Sequence, residues 1–177
     1  MVDGPLSRPL SLICMSSREP VLRVLIVCTG NTCRSPMAVA ALLDELGADR
    51  DRVEVSSAGT AAWEGQPATP TTAELAAQEG LDLKQHRSRR LTPALARASD
   101  LILVMERDHA RAVQGLGGDP ERIHVLSEWP EPGDPGLPVS DPFGASREAY
   151  EECWRRIRRH VRRIVPQVRE ALRARSA

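Results

Sequence analysis

The stretch from Leu22 to Ala38 constrains this chain more than any other. Leu22 to Val27 is apolar and β-branched apart from Arg23, which reads as a buried strand ending at Cys28. The segment Thr29-Gly30-Asn31-Thr32-Cys33 follows, and Pro36, Met37 and Ala38 read as the first turn of a helix. A loop running from a strand into a helix N-terminus turns backbone N–H groups inward and, with the helix dipole, makes a nest for a phosphate dianion. Gly30 tolerates positive φ, and Asn31 is among the few other residues that do. Arg34 closes a Cys-x5-Arg spacing and has a planar fork that grips two phosphoryl oxygens. Cys28, set in the same positive field, is expected to be a thiolate near neutral pH, with Ser35 donating a hydrogen bond to its sulfur. Nucleophile, oxyanion cradle and charge clamp thus fall within eight consecutive residues, Cys28 to Ser35. A zinc site would need a second Cys/His pair at ligand spacing, and none follows. Two core cysteines would not be separated by Thr, Gly and Asn.

The 177 residues, 41% of them hydrophobic, suffice for one domain with a real core. Aromatics are only 3%, so that core is built from Leu, Val, Ile and Ala. Lys plus Arg equals Asp plus Glu at 24 each, which gives no electrostatic case for a nucleic-acid partner. The cysteines Cys14, Cys28, Cys33 and Cys153 do not form a disulfide framework, and the expectation is a cytoplasmic protein, a monomer, with no metal and no cofactor. Residues 1 to 20 carry Pro5, Pro9 and Pro20 and read as a disordered leader, with Met15 as an alternative start and residues 21 to 177 as the domain. Its apolar part, Leu10 to Met15, is too short for a signal or a membrane span, and nothing later is apolar enough to cross a bilayer.

Down the chain, strands and helices alternate. Helix is expected from Ser35 to Leu46, strand from Val53 to Ser57, and helix from Pro70 to Gly80 behind the Thr69 cap. A short helix after Thr92-Pro93, a strand at Asp100 to Met105, a helix at Arg107 to Leu116 and a strand at Arg122 to Leu126 follow. A Pro/Gly-rich loop spans 127 to 145. A last helix, Ser146 to Arg173, has Tyr150, Cys153, Ile157, Val161, Ile164 and Val168 as its core stripe, an Arg-rich solvated face, and Pro166 as a kink or break. The alternation specifies one α/β domain with a parallel sheet, whose ligands bind beyond the strand C-terminal ends.

The Cys-x5-Arg-Ser loop near the start, together with Asp141-Pro142 near the end, resembles the low-molecular-weight protein tyrosine phosphatase family. Val27 stands where the large classical tyrosine phosphatases place a His, which argues against those. The resemblance implies an α/β fold: a single three-layer domain with a four-stranded parallel sheet, order 2-1-3-4, flanked by helices. It implies phosphate binding by Thr29, Gly30, Asn31, Thr32, Cys33 and Ser35, and phosphorylated proteins as substrates. Ser57, in Ser57-Ala58-Gly59-Thr60, is expected to hold the phosphate loop through Asn31, and His86, in His86-x-Ser88-Arg89, to support it too. Trp63 and Phe143 take the positions of aromatics that flank the substrate. Of the two Asp-Pro pairs, Asp141 is the general acid by its position before the last helix and before Phe143, while Asp134 reads as a turn residue.

The implied chemistry is double displacement by Cys28, with Arg34 holding the phosphoryl group and Asp141 as acid and then base. Cys33, close to Cys28, suggests a reversible disulfide as an off-switch. Most members of the family act on phosphotyrosine. A bacterial branch acts on phosphoarginine and carries Cys-Thr-Gly-Asn-Thr-Cys-Arg-Ser and Asp-Pro-Phe-Gly. Thr32 and Phe143 match that branch, where tyrosine enzymes usually have Ile and Tyr. One departure is Val39, where Glu is common, assigned here to the exposed side of the first helix. Arsenate reductase needs reactive cysteines between Cys33 and Cys153, which are absent, and an idle phosphate-binding module would have lost Cys28, Arg34 or Asp141.

Overall fold

A computed structural model describes residues 22–131 and 137–176. The expected leader and Asp134 lie outside the described residues. Four parallel strands, β1 (Leu22–Cys28), β2 (Val53–Gly59), β3 (Leu101–Val104) and β4 (Ile123–Val125), form one sheet in the order β2-β1-β3-β4. Five α-helices accompany them: α1 (Arg34–Leu46), α2 (Pro70–Gln78), α3 (Pro93–Ala98), α4 (Arg107–Gly115) and α5 (Arg147–Ser176).

The period-two pleat of β1 divides its apolar run between the two faces of the sheet. Val24, Ile26 and Cys28 pack with α1, α2 and α5, while Leu25 and Val27 pack with α3 and α4. A strand covered on both faces must be apolar throughout, and this is why the run is near-continuous rather than alternating. Because the strands are parallel, Cys28, Gly59, Val104 and Val125 end at one edge. The loops that follow all four strands therefore meet there.

The core stripe expected on α5 is buried as read, and Trp154, His160, Val165 and Leu172 join it. Its arginines are not simply solvated. Arg158 reaches Asp44, Glu45 and Glu79 at 2.6, 3.5 and 3.3 Å and lies over the Trp154 ring. Arg169 pairs with Asp49 at 2.9 Å and donates to the carbonyls of Glu45 and Leu46, satisfying the end of α1. Pro166 does not break the helix. It sits on the exposed face, while Val165 and Val168 beside it stay packed. Val39 is half-buried and packs on the core rather than facing solvent.

Burial pushes the Cys153 thiol up to about 12. Between pH 9 and 12 the unfolded chain has lost this proton and the native chain still holds it, so stability falls as pH rises. The slope is about 1.4 kcal/mol per pH unit for this group. Urea titrations at pH 8 and pH 10 should record the fall, and Cys153→Ala should shallow it.

Candidate active site

The loop from Cys28 to Ser35 is tied down from behind by its carbonyls. Thr60 N–H donates to Cys28 O at 2.9 Å, Ala61 N–H to Thr29 O at 3.0 Å, and Thr69 N–H to Thr32 O at 3.0 Å. His86 Nε2 donates to Asn31 O at 2.7 Å. With these carbonyls engaged outward, backbone amides are left for the concave side, a geometry suited to an anion.

Asn31, fully buried, is the hub. Its φ of 57° is the left-handed turn of the loop. Its Oδ1 accepts from Arg89 N–H at 2.9 Å, which fixes Nδ2 as the donor to Ser35 Oγ and Ser57 Oγ, both at 2.8 Å. Ser35 Oγ also shares a hydrogen bond with Cys28 Sγ at 3.0 Å. Asn31 N–H reaches the same sulfur at 3.2 Å. The left-handed residue is Asn31 and not Gly30, where a side chain would meet only ordinary contact. The glycine that the loop needs is Gly59, on β2. A Cβ there would collide with Thr29 O and lie 2.8 Å from the Ala62 Cβ.

Arg34 is 1% exposed. One Nη2 contact goes to Asp141 at 2.7 Å and another to Thr29 Oγ1 at 3.3 Å, while Nη1 reaches Val139 O at 3.3 Å and pairs with Glu106. Glu106 was not legible as a site residue. The signal was its place, directly after Met105 at the sheet's C-terminal edge. His109 was also missed; its Nε2 lies 2.9 Å from Thr29 Oγ1.

Desolvation runs against the expected thiolate. Burial pushes the Cys28 thiol up; the bonds from Ser35 and Asn31 and the charge of Arg34 oppose this without offsetting it. Burial likewise lowers His86, which is neutral at ordinary pH while donating to Asn31.

Cys28, Thr29, Gly30, Asn31, Thr32, Cys33 and Arg34 line one cleft of about 660 Å³ together with Trp63, Asp141 and Phe143. Trp63 and Phe143 are 83% and 70% exposed, large apolar side chains standing at its mouth. Ser35, Ser57 and His86 lie behind the loop and brace it. Asp141 is no helix cap: α5 starts at Arg147, and its Oδ1 accepts from Phe143 N–H at 3.1 Å. Cys28 and Cys33 are free thiols, with Cys33 Sγ 3.5 Å from both Thr69 Oγ1 and Tyr150 OH. Among the described residues no cluster of His, Cys, Asp or Glu suits a metal, and no helix is long and apolar enough to cross a membrane.

Residues 23–174 match the family model for the low molecular weight phosphotyrosine protein phosphatases. A probable low molecular weight protein-tyrosine-phosphatase, EpsP, of Ralstonia nicotianae is 35% identical over 82% of this chain and 95% of its own length. A low molecular weight protein-tyrosine-phosphatase of Streptomyces coelicolor is 34% identical over 88% of this chain and 98% of its own. Among solved structures, a YwlE arginine phosphatase mutant with a phosphorylated active-site serine superposes with a TM-score of 0.76 at 30% identity, covering 84% of this chain and 96% of that one. The fold and these matches agree that the chain belongs to the low molecular weight phosphotyrosine protein phosphatase family, whose members are protein phosphatases.

Proposed function

We propose that the chain hydrolyses phosphoarginine in proteins through a cysteinyl-phosphate on Cys28. The observation that carries this reading is Thr32. Its side chain lines the cleft, and its hydroxyl, with only a long 3.8 Å contact to Cys33 Sγ, is available to a substrate N–H or a water. Ile in its place would offer only a dry, apolar surface suited to a flat ring. The carboxylates of Glu106 and Asp141 around Arg34 add negative charge, which favours a cationic guanidinium leaving group. The structural likeness to YwlE arginine phosphatases supports the same reading.

In the first step the phosphate takes the Arg34 fork and releases Asp141 from it. Cys28 and Asp141 share one proton, which stands on Asp141 when Cys28 Sγ attacks as the thiolate. Cys28 Sγ attacks phosphorus, the P–N bond breaks, and Asp141 delivers the proton to the departing guanidine nitrogen. In the second step a water attacks the cysteinyl-phosphate, its proton passes to Asp141, and Cys28 leaves as thiolate.

The alternative substrate is phosphotyrosine, favoured by the sequence relatives, which are protein-tyrosine-phosphatases, and by Trp63 and Phe143, the two aromatic side chains that line the cleft. Values of kcat/KM on matched phosphoarginine and phosphotyrosine peptides, with Cys28→Ser as the blank, decide between them. We expect a phosphoarginine preference of about tenfold or more, lowered about tenfold by Thr32→Ile, the effect of losing one hydrogen bond to a charged group. A preference for phosphotyrosine in the parent, or indifference to Thr32→Ile, would sink the arginine reading.

A further inference from the structure

His109 has no place in the chemistry above, yet it is 5% exposed and touches the phosphate loop. Its Nε2 lies 2.9 Å from Thr29 Oγ1. Its Nδ1 is buried without a hydrogen-bond partner among the described residues. Thr29 is exposed and lines the cleft.

We infer that His109 is a positioning residue that donates its Nε2–H to Thr29 Oγ1 and thereby leaves the Thr29 hydroxyl proton free for a phosphoryl oxygen of the substrate. The inference rests on the reading of the Cys28 loop as the phosphate site. Two tautomers are open to a neutral imidazole, and the surroundings separate them. With the proton on Nδ1, a buried N–H would have no acceptor, and Thr29 would spend its single proton on Nε2. Orphaned buried N–H groups are rarer than under-used acceptors, so the Nε2–H form is preferred. Arg34 Nη2 can only donate, so at 3.3 Å it too uses Thr29 Oγ1 as an acceptor. The oxygen then receives two donors and has its own proton to give. Burial, and after it the charge of Arg34, lowers His109 and keeps it in the neutral form that this requires. The residue is carried on the first turn of α4, so the helix that follows β3 reaches across to the loop that follows β1.

The test measures competitive inhibition by inorganic phosphate and kcat/KM on p-nitrophenyl phosphate, which does not depend on the amino acid dephosphorylated. Thr29→Val and His109→Leu should each weaken phosphate about tenfold, the range for a hydrogen bond to a charged acceptor. The double variant should be no weaker than either single one. His109→Gln, whose side-chain N–H has a similar reach, should return to within about threefold of the parent. An unchanged His109→Leu overturns the inference, as do additive losses in the double variant, or His109→Gln no better than His109→Leu. Should His109→Leu not fold, Thr29→Ser against Thr29→Val takes over: Ser must keep the parent affinity, and Val binding phosphate as well as the parent overturns the inference. A parent with no turnover beyond Cys28→Ser would instead strike the phosphatase reading. A fully active parent indifferent to these changes strikes only the role given to His109.

Discussion

Cys28→Ser is expected to lower kcat on p-nitrophenyl phosphate by about 10⁴-fold or more, the scale on which covalent catalysis fails when its nucleophile is removed. The substitution is nearly isosteric. The serine oxygen would inherit the donors now on the sulfur, Ser35 Oγ at 3.0 Å and Asn31 N–H at 3.2 Å. Loop, cleft and phosphate affinity should therefore survive. What is lost is the thiolate: a thiol ionises far more readily than an alcohol, and the serine does not form the anion that attacks phosphorus. The discriminating pair of measurements is kcat and the dissociation constant for inorganic phosphate. Lost turnover with retained phosphate binding fits nucleophilic catalysis by Cys28. Residual kcat within tenfold of the parent would remove Cys28 from the reaction.

Arg34→Lys should cost about 10³-fold in kcat/KM, between the loss of one oxyanion donor and the loss of a whole arginine clamp. The charge is kept, so the loss belongs to geometry. Arg34 spreads its donors over Glu106, Asp141, Val139 O and Thr29 Oγ1, and a lysine ammonium cannot reach such a spread from one point. Stability should move far less, by about 1 kcal/mol. The side chains of Glu106 and Asp141 are 48% and 43% exposed, and water compensates them when the fork is gone. A thermal melt beside the kinetics checks this. A melting point that collapses along with activity would mean that Arg34 holds the fold rather than the phosphate.

These two expectations start from residues within one short loop, and that is why they were legible in the sequence. Cys28, Arg34 and Ser35 are covalently close, so spacing alone specifies their arrangement once a strand precedes them and a helix follows. The strand was legible because burial on both faces leaves an unbroken apolar run, and α5 because its buried residues recur at helical period. Ser57, His86, Trp63, Asp141 and Phe143 were named through resemblance; no local pattern separates Ser57 from an ordinary turn serine.

The rest depends on which chain ends the parallel sheet brings to one edge. Glu106 and His109 sit one loop away from Cys28 in space and far from it in sequence, and the pairing of β1 with β3 alone joins them. The need for Gly59 arises from the close approach of β2 to Thr29 O. The upward push on the Cys28 thiol follows from the same packing: the chain places a thiol beside an arginine, and the fold takes the water away. The sequence by itself determined the fold class and the order of groups in the phosphate loop, because short-range spacing and hydrophobic period are local properties. Tertiary structure decided the desolvation of Cys28 and the partners of Arg34 and Thr29, because burial and contact sum over every neighbour in space.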